Sequence, residues 1–259
     1  MHRRLLAAVL AGGLLAACRP APAPRVAHRP LIVFAAASLG PALTRLTPVW
    51  ATTHPEAPLL PSLAGTQELR TQIVSGAPAD VLLSASVDDS RALRDAGLLD
   101  EPQPFVGNRL ALAATTHNQT VRQFTDALRP GVKLVICGAK VPAGKYLTQA
   151  LDALTHSGQP QQVAALRRNV KSEESDVAAA RTKIGLGEVD AGFVYATDVI
   201  AAGLVDVPLP RPMQVQAKYT RARLKHSAQP DQAQALCDWL AGPEAKAVLQ
   251  ALGFTVDAM

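Results

Sequence analysis

Several residues that can bind an anion stand where a helix is predicted to begin. Ser38 follows the apolar run from Leu31 and precedes a helical pattern, so it is predicted to be an N-cap, with Pro41 in the first turn. The first N–H groups of a helix have no acceptor inside the helix, and the helix dipole places positive charge there. Three further junctions have this form, namely Gly65-Thr66, Pro142-Ala143-Gly144 and Ser175-Asp176-Val177.

Each junction taken alone also fits ordinary helix capping, which needs no ligand. Tyr195, at the end of a predicted strand, adds a phenolic O–H donor. If these ends converge, hydroxyl and backbone N–H groups would surround a small oxyanion without any Lys or Arg. Spacing along the chain does not show whether they converge.

Strand-like and helix-like segments alternate along the chain, which predicts an α/β architecture with mostly parallel sheets. Four of the predicted bounds matter below. Strands are predicted at Arg109–Thr115 and Met213–Leu224, a short helix near Val121–Leu128, and a helix that starts within Ser172–Val177.

Composition limits the classes of protein that fit. The chain has 259 residues, 48% of them hydrophobic and 18% charged, which is enough for a real core in one large or two modest domains. Its formal charge is +5, but no Lys/Arg run with interleaved aromatic residues appears after the first thirty positions. We therefore expect no nucleic-acid partner, and attribute the charge to solubility and attraction to a membrane surface.

The N-terminus has the pattern of an exported lipoprotein. Arg3-Arg4 precedes an apolar stretch, Leu5–Leu15, that is too short to span a bilayer. Leu15-Ala16-Ala17-Cys18 then resembles a bacterial lipobox, which makes residues 1–18 a signal peptide with Cys18 lipidated. Residues 19–30 are Pro-rich and predict an extended tether. We expect a protein anchored by lipid in the periplasm or on the outer face of the cell membrane.

The two other cysteines are expected to be buried small hydrophobic residues. Cys137 lies in a strand-like run and Cys237 in a helical one, although an oxidising compartment would permit a bridge. The six histidines are scattered, and no Cys/His cluster has the spacing of a metal site.

Six motifs, taken in order, resemble those of the periplasmic molybdate-binding proteins of ABC transporters, and together they cover Leu31 to Val256. They are Val33-Phe-Ala-Ala-Ala-Ser38-Leu, Gly76-Ala-Pro-Ala-Asp80-Val, Val141-Pro-Ala-Gly144, Asp176-Val177, Gly192-Phe-Val-Tyr195-Ala-Thr-Asp198, and Gly242-Pro-Glu-Ala with Gly253-Phe254. As a set they are specific, whereas any one alone would be weak.

The resemblance implies a type II periplasmic-binding-protein fold. Its two lobes, each a mostly parallel sheet flanked by helices, would be joined by crossing strands and close over a tetrahedral dianion. Lobe I is predicted to comprise residues 31–108 and 212–259, and lobe II residues 109–211.

Carried over by position, the resemblance gives five ligands for molybdate. They are Ser38 and Thr66 through hydroxyl and N–H, Ala143 and Val177 through N–H, and Tyr195 through its hydroxyl. Molybdenum would be present only within the bound oxyanion, with no other metal and no cofactor. The resemblance further implies a non-enzymatic monomer that captures molybdate, and tungstate as well, and delivers it to the permease subunits of an ABC importer.

Two departures from the family pattern and one neighbouring group of acidic residues bear on this site. Thr66 stands where the family has a Ser-rich turn, so its bulk affects the fit. Arg221, Arg223 and Lys225 fall on one face of the last strand, where they must be exposed or paired. Glu173, Glu174 and Asp176 lie beside a proposed anion ligand and must point away from it.

Two alternatives remain at this point. One is a binding protein for another solute. This solute is either another tetrahedral oxyanion, such as sulfate or phosphate, which would use the same kind of donors, or a small organic ligand. An exported serine hydrolase with Ser38 as nucleophile would need a glycine two residues before the serine, and Ala36 stands there.

Overall fold

A computed structural model describes residues 29–116 and 120–256. The predicted signal peptide, Cys18 and all but the last two residues of the predicted tether lie outside the described residues.

Strands and helices alternate through the described chain, as the pattern predicts. The strands are Leu31–Ala36 (β1), Leu59–Ala64 (β2), Val81–Ser84 (β3), Gln103–Ala114 (β4), Leu134–Cys137 (β5), Val170–Glu174 (β6), Ala191–Tyr195 (β7), Val205–Val207 (β8) and Gln216–Arg223 (β9). The helices are Gly40–Thr53 (α1), Thr66–Val74 (α2), Val87–Asp95 (α3), Pro142–His156 (α4), Pro160–Asn169 (α5), Val177–Gly185 (α6), Ala196–Ala202 (α7), Pro230–Leu240 (α8) and Pro243–Ala251 (α9).

The strands form two parallel groups joined by two antiparallel strands. Their order is β2-β1-β3-β9-β4-β7-β5-β6, with β8 paired to β4. β1 runs parallel to β2 and β3, and β5 runs parallel to β6 and β7. β9 and β4 are antiparallel to each other and to the neighbouring group on either side. This is the predicted α/β arrangement with crossing strands, while the division at residues 108 and 211 stays a prediction.

The strands are buried in a core made mostly of small and aliphatic side chains. Five of the six residues of β1 are buried, as expected for a parallel strand covered on both faces. The largest fully buried side chains are Trp50, Tyr195, Tyr219 and Phe193. Trp50 satisfies its only donor by bonding the Ala57 carbonyl at 2.6 Å. Since most other core residues are Ala, Leu and Val, backbones approach one another closely near the strand ends.

Four predicted bounds are wrong. β4 begins at Gln103 rather than Arg109, because its first residues pair with β9 across a register irregularity between Pro104 and Gly107. β9 begins only at Gln216, since Arg211–Met213 forms a 3-10 turn in a Pro-rich segment. The helix predicted near Val121 is the 3-10 segment Phe124–Leu128. β6 continues to Glu174, which delays α6 to Val177.

The basic residues of the last strand are accommodated by pairing and exposure. Arg221 donates through Nε to the Cys237 carbonyl at 2.8 Å and also bonds the Pro104 carbonyl. Arg223 forms an ion pair with Asp100 at 2.6 Å. Lys225 lies beyond β9 and is exposed.

Cys137 and Cys237 are buried and free among the described residues, and burial raises the pKa of each thiol. Both therefore behave as small hydrophobic residues, as expected. In the part of the chain that the structure describes, no helix has the length and apolar character needed to cross a membrane.

Candidate functional site

All five residues predicted to bind the ion line one small cavity at the carboxyl ends of β1, β2, β5, β6 and β7. The cavity measures about 20 Å³ and suits a ligand of a few atoms, far smaller than the pockets of several hundred Å³ that hold organic ligands. Its lining residues are Ala36, Ala37, Ser38, Gly65, Thr66, Ala85, Val141, Pro142, Ala143, Asp176, Val177 and Tyr195.

Ser38 has a different local role from the one predicted. It lies in a 3-10 turn, Ala37–Leu39, that separates β1 from α1, so it is not the N-cap of that helix. Its hydroxyl instead bonds the Tyr219 hydroxyl at 2.8 Å, deep in the core. The three small residues before it, Ala35, Ala36 and Ala37, bring the backbone close to the cavity.

Thr66 opens α2 and is buried, with only 1% of its surface exposed. Its hydroxyl oxygen accepts a hydrogen bond from the Ala85 backbone N–H at 3.2 Å. Because that interaction occupies the oxygen as an acceptor, the hydroxyl proton is left to donate. The bulk of threonine is accommodated here, and Thr66 still lines the cavity.

Two helix starts present backbone N–H groups to the cavity. Ala143 lies in the first turn of α4, for which the described residues provide no side-chain cap. Val177 is the first residue of α6, where Asp176 caps the Ala179 N–H at 3.0 Å and leaves the Val177 N–H to another acceptor. A side chain at Gly144 would lie 2.1 Å from the Gly138 carbonyl oxygen, so glycine is required for α4 to pack this closely against the end of β5.

The Tyr195 hydroxyl is buried without a hydrogen-bond partner among the described residues. The tyrosine is 1% exposed, and burial holds its pKa well above the ordinary value, so the group stays a neutral donor. Two other buried side-chain atoms of the described chain have no hydrogen-bond partner, namely Gln67 Oε1 and Ser172 Oγ. Neither residue lines the cavity. A donor buried in this way costs about 1–3 kcal/mol unless a ligand accepts from it.

The acidic residues near Val177 are directed into other interactions. Glu174 pairs with Lys183 at 2.6 Å, and Asp176 accepts from the first turn of α6. Glu173 is exposed and lines a separate cavity. Asp176 still lines the site, with one carboxylate oxygen engaged by the Ala179 N–H. Within the described ranges no Lys or Arg lines the site, so an ion there would be held by neutral donors and helix dipoles.

The Asp198 carboxylate fixes the backbone of Tyr195 by a hydrogen bond. It accepts from the Tyr195 N–H at 3.1 Å and pairs with Arg181 at 2.9 Å. Burial raises the pKa of Asp198 to about 7, although Arg181 and the Tyr195 N–H oppose the rise.

This pKa predicts how stability depends on pH. A carboxyl whose pKa is higher in the folded than in the unfolded state stabilises the fold fully below the unfolded value, near 3.8, and that contribution is lost as the pH rises to about 7. The unfolding free energy of Asp198→Asn, minus that of the wild type, should therefore rise between pH 4 and 7. Each unit of difference in pKa corresponds to about 1.4 kcal/mol.

Urea unfolding of both proteins across this pH range measures the difference, and parallel curves would contradict it. Asp89→Asn is the control, because the pKa of Asp89 is lowered in the folded protein. Its difference in unfolding free energy from the wild type should therefore change with pH in the opposite direction. Burial acts to raise the pKa of Asp89, but hydrogen bonds from Ser86, Lys145 and Arg70 outweigh it and lower the pKa.

Two polar contacts connect elements on either side of the cavity. Gln67, in the first turn of α2, donates to the Ser175 carbonyl at 2.9 Å, just before α6. Lys145 of α4 reaches Asp89 of α3 at 3.1 Å, and Arg70 binds the same carboxylate at 2.8 Å. A side chain at Gly65 would lie 2.7 Å from the Ser175 carbonyl oxygen, so the backbones themselves meet here.

Sequence reasoning did not identify the residues that support the five. Asp198 accepts from the Tyr195 N–H, the Ala85 N–H donates to the Thr66 hydroxyl, and the Tyr219 hydroxyl bonds the Ser38 hydroxyl. Asp198 stands three residues after Tyr195, at a spacing where a carboxylate can accept from the N–H before a helix. Tyr219 lies in a strand and carries no local signal, because its partner is distant in sequence.

A larger cavity of about 370 Å³ lies beside α4 and α5. Its walls combine apolar side chains with the exposed residues Arg167 and Glu173. It contains none of the five predicted residues.

Two parallel strand groups, two crossing strands and a small buried site at the strand ends define an extracellular solute-binding protein of the two-lobed kind. A sequence model of the family described as bacterial extracellular solute-binding protein matches residues 31–255. The chain belongs to this family.

One sequence relative and two solved structures show which members of the family the chain is similar to. The molybdate-binding protein ModA of Mycobacterium tuberculosis (strain H37Rv) is 32% identical over 259 residues, which cover 96% of this chain and 95% of that protein. The periplasmic molybdate-binding protein of Azotobacter vinelandii superimposes with a TM-score of 0.76 at 22% identity, covering 88% of this chain and all of that one. The sulfate-binding protein SubI of M. tuberculosis H37Rv gives the same TM-score at 19% identity, over 89% of this chain and 88% of its own.

These likenesses confirm the predicted type II periplasmic-binding-protein fold and the resemblance to periplasmic molybdate-binding proteins. The chain is the solute-binding component of an ABC transporter and acts outside the cytoplasm. Proteins of this class bind solutes and do not transform them, which excludes a serine hydrolase with Ser38 as nucleophile.

Proposed function

We propose that the protein captures molybdate, and tungstate with it, for delivery to the permease of an ABC importer. The observation that carries the proposal is the buried Tyr195 hydroxyl, which has no hydrogen-bond partner among the described residues and lines the same cavity as the four other predicted ligands. The ligands are Ser38, Thr66, Ala143, Val177 and Tyr195. Molybdenum enters only as the centre of the oxyanion, and no cofactor takes part.

Neutral donors suit a fully ionised dianion. Fixed N–H and O–H dipoles replace its hydration shell, and the helix starts at Ala143 and Val177 direct positive potential toward it. An anion that carries a proton brings a donor of its own, which finds no acceptor among donor groups and costs about 1–3 kcal/mol. The site therefore favours anions that are unprotonated at neutral pH.

Sulfate is the strongest competing ligand. The structural likeness to a sulfate-binding protein equals that to a molybdate-binding one, so the fold does not separate the two anions. The sequence relationship favours molybdate, since the relative at 32% identity over nearly the whole chain is a molybdate-binding protein. A cavity set for the larger molybdate and tungstate ions would also hold sulfate loosely.

A thermal-shift panel tests the choice of ligand. We expect molybdate and tungstate to raise the melting temperature, because a ligand that binds only the folded state stabilises it by mass action. Sulfate and phosphate at the same concentration and ionic strength should leave it near the value in chloride. A larger shift with sulfate or phosphate than with molybdate would contradict the proposal.

We also propose where the protein is anchored and how it passes the ion to the permease. Lipidated Cys18 and the Pro-rich segment after it would tether a monomer to the membrane. The contacts Gln67–Ser175 and Lys145–Asp89 would form as the lobes close on the ion, and the permease would recognise the closed form.

A further inference from the structure

Two polar contacts join helices of the first strand group (β1, β2 and β3) to helix starts of the second group (β5, β6 and β7). In one, Gln67 of α2 donates to the Ser175 carbonyl, just before α6. In the other, Lys145 of α4 pairs with Asp89 of α3. Neither Gln67 nor Lys145 lines the cavity, so an effect of either side chain on a bound ion must pass through the relative position of the two groups.

The contact of Gln67 with Ser175 fixes the start of α6. Ser175 stands two residues before Val177, whose N–H group is a proposed ligand. Because a carbonyl oxygen can only accept, the Gln67 amide nitrogen faces Ser175, at 2.9 Å. The same amide packs on the backbone of Gly65, where an added Cβ would lie 2.5 Å from the amide nitrogen. Since Gly65 lines the cavity, the Gln67 side chain lies against the cavity wall between α2 and α6.

The contact of Lys145 with Asp89 fixes the start of α4. Lys145 stands two residues after Ala143, the proposed ligand of this helix, and its ammonium group lies 3.1 Å from the Asp89 carboxylate. The Asp89 side chain is 2% exposed and also pairs with Arg70 of α2 at 2.8 Å. Because Arg70 and Asp89 both lie in helices of the first group, the carboxylate would stay paired when Lys145 withdraws. The contact can therefore break and form again without leaving a buried charge unpaired.

We propose that Gln67 and Lys145 are positioning residues that hold the two strand groups together around the bound ion and set how long it stays bound. The cavity is lined by residues of both groups, so an ion inside it can leave only after the groups separate and both contacts break. Contacts made only in the closed form slow release, whereas the first encounter with the ion precedes them. This inference rests on the proposed oxyanion site and adds the residues that determine the lifetime of its closed form.

The test measures the release and the binding of molybdate separately. Protein loaded with radiolabelled molybdate is mixed with excess unlabelled molybdate, and the loss of label gives the dissociation rate. The association rate then follows from this rate and from the Kd measured by calorimetric titration. We expect dissociation to be about tenfold faster in Lys145→Met and about fivefold faster in Gln67→Ala, because a charged hydrogen bond contributes more than a neutral one. The association rate should change by less than about twofold in both.

Three variants are controls. Lys145→Arg keeps the positive charge and should release the ion at a rate near that of the wild type. Lys140→Met removes an exposed positive charge three residues before Ala143. Gln72→Ala removes an amide of α2 that bonds Glu68 of the same helix at 3.4 Å. The last two variants should also release molybdate like the wild type, because neither removes a contact between the two groups.

The outcomes separate this inference from the proposed function. An unchanged dissociation rate in Lys145→Met or in Gln67→Ala overturns the inference and leaves the oxyanion site intact. A loss of affinity that lies in the association rate also overturns it, because Lys145 would then act by attracting the anion from a distance. A wild type that binds no molybdate overturns the proposed function together with this inference. If urea unfolding shows that Lys145→Met does not fold, Lys145→Gln replaces it with the same expected result.

Discussion

Tyr195→Phe is expected to bind molybdate roughly 10- to 150-fold more weakly than the wild type, without loss of stability in the ligand-free protein. The first effect follows because a hydrogen bond to a charged group contributes about 1.5–3 kcal/mol. The second follows because the Tyr195 hydroxyl bonds no group among the described residues, so that its removal breaks no bond within them. Calorimetric titration gives the affinity, and urea unfolding gives the stability.

Tyr146→Phe is the matched control. The Tyr146 hydroxyl accepts from the Lys218 backbone N–H at 2.9 Å and does not line the cavity. Its removal should lower the unfolding free energy by about 1 kcal/mol and leave the molybdate affinity unchanged. If Tyr195→Phe lost stability but retained affinity, Tyr195 would be a structural residue and not a ligand.

Val177→Pro should weaken molybdate binding by a similar factor, by removing a single backbone donor. Val177 is the first residue of α6, a position where proline fits a helix, and Asp176 before it has the extended backbone that a following proline requires (φ −154°, ψ 167°). The substitution therefore deletes the N–H group with little change to the helix. The lost bond to a dianion corresponds to roughly a 10- to 150-fold increase in Kd, measured by calorimetric titration.

Val87→Pro provides the control at an equivalent helix position. Val87 is the first residue of α3, follows an extended Ser86 (φ −138°, ψ 115°) and does not line the cavity. It should unfold like Val177→Pro but bind molybdate like the wild type. Equal affinities for both proline variants would remove the Val177 N–H from the site.

Much of the fold follows from local patterns in the sequence. The alternation of apolar strands with helical segments predicted mostly parallel sheets, and the family resemblance implied their division into two groups joined by crossing strands. Two of the wrong bounds came from short 3-10 segments, and one from long-range strand pairing. β4 is lengthened by β9, more than 100 residues later in the chain, and a register irregularity carries no sequence signal.

The site residues, too, were predicted where the signal is local and were wrong in detail where a distant partner decides. The junctions at Ser38, Thr66, Ala143 and Val177 and the strand end at Tyr195 were visible in the sequence, and the family motifs implied that the five residues form one site. The prediction for Ser38 failed in its local detail, because a partner 181 residues away, Tyr219, draws its hydroxyl into the core and away from capping. This contact between the 3-10 turn after β1 and the strand β9 is visible only in three dimensions.

Crystals grown with molybdate and measured at the molybdenum absorption edge would locate the ion directly. We predict one anomalous peak, in the cavity between Ser38 and Tyr195, with the Tyr195 hydroxyl within hydrogen-bond distance of an oxygen of the ion. The N–H groups of Ala143 and Val177 should face the same ion. A saturating molybdate ion found elsewhere, such as in the larger cavity beside Arg167, would contradict the assignment of this site.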